Sequence, residues 1–226
     1  MSSGGRPARS EQARGRAATA SSRSALAVVA ALVAIVALAG VGLGLALYPR
    51  PAGAFSSCRT AAQLAPKVYA APPPMCIDTR ASYAAVIDTT QGPIGISFLT
   101  GSAPRTVNNF IVLALHGYFD GLAFFNVQSW SIQSGDPSTN GRGGPGYTIP
   151  AEKPLAADTW PAGSLGMARF PDGSISGGQF FMVKAAWPGG NPTVSYDHFA
   201  NITSGIDVLT QLTASDSIVD VSVTRH

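Results

Sequence analysis

The sequence predicts an all-β domain, a closed antiparallel barrel carrying two helices, preceded by one N-terminal transmembrane helix. Three observations carry this expectation. From about residue 81 onward, short apolar runs alternate with Gly- and Pro-bearing turns, the rhythm of a many-stranded sheet. Only two stretches in that region have helical spacing, one from Pro104 and one after Ser204. Far upstream, Ala25–Tyr48 runs for 24 residues without a charge.

Residues 1–24 are Ser, Gly, Ala and Arg with no apolar periodicity, and read as a disordered cytoplasmic tail. Residues 25–48 as a helix span about 36 Å, enough for a bilayer core of about 30 Å. Arginines crowd the N-terminal side, so the positive-inside tendency places the tail in the cytoplasm and everything after Arg50 outside. The competing reading is a cleaved signal peptide ending near Ala52-Gly53-Ala54, but a signal's apolar region runs only about 7–15 residues. The expected localisation is therefore a bacterial cell membrane, single-pass, with the domain extracytoplasmic. The bacterial source is a reading of twelve Arg against three Lys in an Ala/Gly-rich chain.

Residues 49–80 are Pro/Ala-rich and read as a partly extended linker. They hold the only two cysteines, Cys58 and Cys76. Two cysteines outside the cytoplasm predict a disulfide, closing a loop for which chain entropy gives about 3 kcal/mol. Lipidation of Cys58 fits less well, since a lipobox directly follows a shorter apolar region. Zinc fits worse still without further ligands nearby.

The domain, 81–226, opens with SYAAVID, a turn at TTQG and a second strand over Pro93–Phe98. Pro104 sits near the start of a helix with apolar Val107, Phe110, Ile111 and Ala114, stopped at Gly117. A second helix is expected over Ile206–Leu212, capped by Ser204. Val219, Val221 and Val223 share one face of a last strand.

Charge excludes one class of function. The positive charge is concentrated before the domain, where residues 1–80 hold nine basic against two acidic side chains, whereas residues 81–226 hold six basic against ten acidic ones. A nucleic-acid partner, which needs a basic surface on the domain itself, is not expected. His116, His198 and His226 are scattered, so neither a metal site nor a cofactor is expected. The stretch GRGGPGY, Gly141–Tyr147, is a shaped loop, and lacks the Lys-Ser/Thr of a phosphate loop. No G-x-S-x-G elbow of a hydrolase is present.

Four segments in register carry a resemblance. They are APRTVNNF at Ala103–Phe110 with GYFDG after it, IQSGDP at Ile132–Pro137 running into GRGGPGY, GSLGMA at Gly163–Ala168, and GQFFM at Gly178–Met182. Together they resemble the cyclophilin-type peptidyl-prolyl cis-trans isomerases over about Tyr83 to Val223. The resemblance implies an eight-stranded antiparallel barrel with two capping helices, and a pocket for proline-containing polypeptide segments.

Rotation about an X–Pro bond meets a barrier of about 20 kcal/mol from amide resonance, while cis and trans differ by about 1 kcal/mol. A catalyst needs no covalent step. It must favour the twisted amide, with an apolar seat for the ring, a donor for the carbonyl and a donor aimed at the amide nitrogen. In cyclophilins the last group is the arginine of a Phe-His-Arg-Val stretch. Here that stretch is Phe124-Phe125-Asn126-Val127, so the position is Asn126. The resemblance assigns the catalytic set to Asn126, Gln133 and Gln179, and the substrate-binding set to Trp130, Ala168, Arg169, Phe181 and Tyr196. Trp130 falls where the family has Phe, and Ser131 where it has Met. Arg169 stands where Asn is common, either a surface arginine or a substitute cation. In the QFF strand, period-two alternation puts Gln179 and Phe181 on one side and Phe180 on the other.

Two functions compete. One is a prolyl isomerase assisting the folding of extracytoplasmic proteins, weak for lack of the arginine. The other is a proline-segment binder or scaffold, an accessory subunit of a membrane complex.

Overall fold

The computed structural model describes residues 53–152, 160–188 and 194–226. The expected tail and transmembrane helix lie outside the described residues. Among those described, no helix is long and apolar enough to cross a membrane.

Among the described residues, eleven strands and two helices follow in chain order: β1 (Gln63–Ala65), β2 (Val68–Tyr69), β3 (Tyr83–Thr89), β4 (Gly92–Phe98), α1 (Pro104–Leu115), β5 (Asn126–Val127), β6 (Ser131–Ser134), β7 (Thr148–Ile149), β8 (Ser164–Arg169), β9 (Ile175–Val183), β10 (His198–Ser204), α2 (Ile206–Gln211) and β11 (Ile218–Arg225). β1 and β2 form a hairpin of their own. The other nine make one antiparallel sheet in the order β11-β3-β4-β10-β8-β9-β6-β5, with β7 on the side of β9.

The sheet curls but does not close, which corrects the expected closed barrel. The physical reason lies at its ends. β5 is only two residues long and pairs β6, and the chain before it meets the start of β11 through one bridge, Ala123 to Ser217. Short backbone bonds at that seam, Phe124 N–H to Asp216 O (3.1 Å) and Ile218 N–H to Leu122 O (2.9 Å), hold the edges near each other without a ladder.

Inside the curl, alternate residues point to one core. β3 buries Tyr83, Ala85 and Ile87, as its period-two pattern predicts. α1 lays Val107, Phe110, Ile111 and Ala114 into that core, where the Phe110 ring stacks on Phe119 (4.5 Å) and meets Phe180 edge-on (5.4 Å). Pro104 opens α1, and Glu152 takes the place of an N-cap, its carboxylate accepting from the N–H groups of Arg105 (3.0 Å) and Thr106 (2.8 Å). α2 starts from Gly205 with a left-handed φ of 80° and has no side-chain cap, so Ser204 does not serve as one. The strand β10 continues through Ser204, which leaves that residue paired with Gly95 instead.

The stretch expected to be a linker is, from Gly53 on, part of the same compact unit as the sheet. Cys58 and Cys76 are joined by a disulfide. Tyr69 and Ile77 are buried in the core. The buried Asn108 of α1 holds the chain beside it, accepting from Cys76 N–H (2.8 Å) and Ile77 N–H (3.3 Å) and donating to Pro74 O (3.1 Å). The Pro-rich run forms no helix or strand and is held against α1 through Asn108.

Candidate active site

The pocket forms where β8, β9 and β6 lie side by side and β5 ends the sheet. In register, Asn126 faces Gln133, Gln133 faces Phe181, and Phe181 faces Gly166. These positions lie in one row across four strands, so their side chains share a face. A cavity of about 220 Å³ results, lined by Asn126, Gln128, Trp130, Ser131, Gln133, Ala168, Arg169, Phe181, Trp187 and Tyr196.

Its apolar wall is a cluster of rings. Phe181 contacts Tyr196 (5.2 Å), Trp160 (5.3 Å) and Trp187 (5.9 Å), and Trp187 meets Trp130 at 4.3 Å. Gly166 makes this cluster possible: a Cβ there would run into the Phe181 ring and come within 2.6 Å of Trp160. Phe180, on the opposite face of β9, points into the main core. The alternation expected for the QFF strand therefore holds.

The polar wall is a chain of side-chain amides. Asn126 Nδ2 donates to Gln133 Oε1 (3.2 Å), Gln133 Nε2 to Gln179 Oε1 (2.9 Å), and Gln179 Nε2 to the carbonyl of Gly143 (2.6 Å). Gln128 Nε2 donates to Asn126 Oδ1 (3.3 Å). Each amide has two N–H donors. Among the described residues, Asn126 and Gln133 each spend one on this chain, leaving one for a ligand. Gln179 is only 1% exposed and does not line the cavity. It stands behind Gln133 and orients it.

The Gly-rich loop supplies the end of the chain. Asp136 is buried beneath it and accepts from Ser138 N–H and Oγ (both 2.7 Å), Gly141 N–H (2.7 Å) and Gly143 N–H (3.2 Å). Burial alone would raise the Asp136 carboxyl, but the donors of Ser138, Gly143 and Gly141 hold it below the usual range. It is thus a fixed anion around which the loop is wound.

Arg169 lines the edge of the cavity, and its Nη1 donates to Ser195 O (3.2 Å), so the guanidinium is tied to the neighbouring loop. Beyond Tyr196, burial pushes Asp197 up to about 6, against the opposing effect of Glu152 N–H and Thr106 Oγ1, which donate to it.

Of the residues singled out by sequence, Asn126, Trp130, Gln133, Ala168, Arg169, Phe181 and Tyr196 all line the cavity. Gln128, Trp187 and Trp160 were not foreseen. Trp187 carries a weak signal, a lone large aromatic six residues past Phe181, in a stretch with no clear match to the family. Trp160 carries none beyond its rarity.

Comparison with known proteins agrees with this geometry. The profile of the family described as "Cyclophilin type peptidyl-prolyl cis-trans isomerase/CLD" matches residues 84–225. Peptidyl-prolyl cis-trans isomerase B of Bacillus subtilis is 39% identical over 124 residues, 54% of this chain and 84% of its own length. A peptidyl-prolyl cis-trans isomerase of Synechococcus elongatus is 38% identical over 105 residues, 46% of this chain and 70% of its own. A crystal structure of a cyclophilin-type isomerase from Cryptosporidium parvum shares the fold, with a TM-score of 0.55 at 22% identity, covering 63% of this chain and 98% of its own. Fold, pocket and sequence define a cyclophilin-type domain. The chain belongs to the cyclophilin-type peptidyl-prolyl cis-trans isomerase family.

Proposed function

We propose that this domain binds X–Pro segments of extracytoplasmic polypeptides and isomerises them, at a rate limited by the neutral Asn126. The observation that carries the reading is the juxtaposition of an aromatic seat at Phe181 with unspent N–H donors on Gln133 and Asn126 across one cavity. The proline ring sits on Phe181. The free N–H of Gln133 holds the carbonyl of the X residue. The free N–H of Asn126 meets the amide nitrogen as it becomes pyramidal in the twisted state. Asn126 supplies a hydrogen bond there but no charge, which lowers the preference for that state over the planar amide.

All three tryptophans of the chain line or back this cavity. Titrating the full-length protein with a short Ala-Pro peptide should therefore change its intrinsic fluorescence in a saturable way, and an Ala-Ala control peptide should not. Equal responses to both peptides would remove the proline seat from the account. Binding without turnover is the second reading, favoured by the asparagine at position 126. In that case the domain serves as a proline-segment scaffold within a membrane complex.

The extracytoplasmic setting rests on the apolar span 25–48 and the arginines before it. The disulfide, a bond that persists in oxidising compartments, supports it. A reporter fused after His226 should be active only outside the cytoplasm, and the chain should stay with membranes through an alkaline wash. A shortened, soluble form released from the cell would overturn the anchor.

A further inference from the structure

We propose that the disulfide-closed segment 58–76 is a positioning clasp for the amide chain of the active site, although none of its residues lines the cavity. The inference rests on the functional reading above for its kinetic consequence. Its structural consequence stands alone.

The clasp is anchored at one end to Asn108 within α1 and at the other to His116, the residue that ends it. Cys58 O lies 3.3 Å from His116 Nε2, and the other end is held by Asn108. Between them the β1–β2 hairpin turns through Lys67. Lys67 Nζ donates to the carbonyls of Gly117 (3.1 Å), Tyr118 (2.6 Å) and Asp120 (2.9 Å), the chain just past the end of α1. Burial lowers the Lys67 pKa, opposed by Asp120. Three carbonyls converging on one ammonium make a site fitted to a cation.

The tip of the clasp meets the back of the Gly-rich loop. Tyr69 N–H donates to Pro145 O at 2.8 Å. Gly146, at φ 92°, lies so close that a Cβ would come within 2.8 Å of Val68 Cγ1 and 2.9 Å of Tyr69 O. The Tyr69 ring packs at 6.5 Å from that of Tyr118, whose hydroxyl donates to Gly135 O (2.9 Å) in the turn that enters the loop. Asp136 thus holds the loop from within and the clasp holds it from outside.

Two residues before Pro145 stands Gly143, whose carbonyl receives Gln179. A path then runs by hydrogen bond from Tyr69 to Pro145, along the chain to Gly143, and by hydrogen bonds on through Gln179 and Gln133 to Asn126. Chains of hydrogen bonds and packed side chains of this kind carry coupling between distant sites. A loop carbonyl freed on one side samples more positions, Gln179 loses its fixed acceptor, and Gln133 loses its orientation. The disulfide makes detachment of the clasp costly by closing the chain around it.

The test uses the full-length chain and a Cys58→Ala/Cys76→Ala variant, with NMR of the side-chain amides and proline-isomerisation kinetics. The variant is expected to speed hydrogen exchange of the Gln179 side-chain amide by about five-fold or more and to lower kcat by a similar factor, the lower range of typical coupling between sites. KM should change little, because Phe181 is untouched, and backbone amides of Phe110 and Phe180 in the core should keep their protection. Lys67→Met leaves the disulfide in place and should shift the same Gln179 signal and kcat in the same direction, which decides the matter should the cysteine variant unfold. Unchanged Gln179 exchange in a folded variant overturns the clasp. A wild type without isomerase activity would remove the catalytic reading, while Gln179 exchange would still report on the clasp.

Discussion

Asn126→Arg is expected to raise kcat/KM for a short Ala-Pro peptide by roughly ten-fold or more, within the ~10²–10³ that one transition-state donor carries. Asn126 sits in β5, half-buried and directly across from Gln133. Its side chain is short, and one of its two N–H groups is spent on Gln133. Arginine brings a longer stem, five donors and a permanent charge. It can keep the bond to Gln133 and still direct N–H groups and charge at the amide nitrogen, whose lone pair is exposed only in the twisted state. The gain should therefore lie in kcat, with KM little altered. Single-turnover and steady-state isomerisation of the same peptide separate the two. Full activity in the wild type, unmoved by the substitution, would mean that another group already does this work. Arg169, at the cavity's edge but tied to Ser195, is then the residue to remove, as Arg169→Ala.

Phe181→Ala is expected to weaken peptide binding by about thirty-fold, corresponding to roughly 2 kcal/mol of lost apolar burial under the proline ring. Phe181 belongs to the small cluster with Trp160 and Val183, apart from the main core around Phe110. The fold should therefore survive the change, and circular dichroism with a thermal melt checks that it does. Phe181→Leu, which keeps an apolar floor, should recover most of the affinity. The loss should be of similar size in the Asn126→Arg background, because seat and donor act on different parts of the substrate. Peptide affinity unchanged by Phe181→Ala in folded protein would move the binding site elsewhere.

The parts of this site legible in the sequence are those fixed by local pattern. Period-two alternation separates Phe181 from Phe180, and the Pro104 helix carries its apolar face at the spacing that buries it. Asn126 stands out because a four-residue stretch can be compared position by position. What was not legible depends on which distant segments meet. Nothing local in Gly53–Arg80 shows that Tyr69 binds Pro145 or that Lys67 reaches Gly117–Asp120, and a Pro/Ala-rich composition reads as an extended linker. Trp160 backs the pocket, packed on Phe181, only because Gly166 leaves room for it across the sheet. Gln179 looks like a ligand donor in one dimension, but it is buried behind Gln133 and tied to Gly143 and Gln133, facts of the loop's path and the strand register. The open seam follows from the brevity of β5, which apolar alternation alone does not set.

Turnover of X–Pro bonds in this pocket without the arginine is read out by NMR exchange spectroscopy of an Ala-Pro peptide with substoichiometric full-length protein. Cis/trans exchange should be faster than in peptide alone, slower than with a family member that keeps the arginine, and lost in Phe181→Ala. Exchange equal to that of free peptide, in protein that still binds it, would contradict catalysis and leave the domain a proline-segment binder.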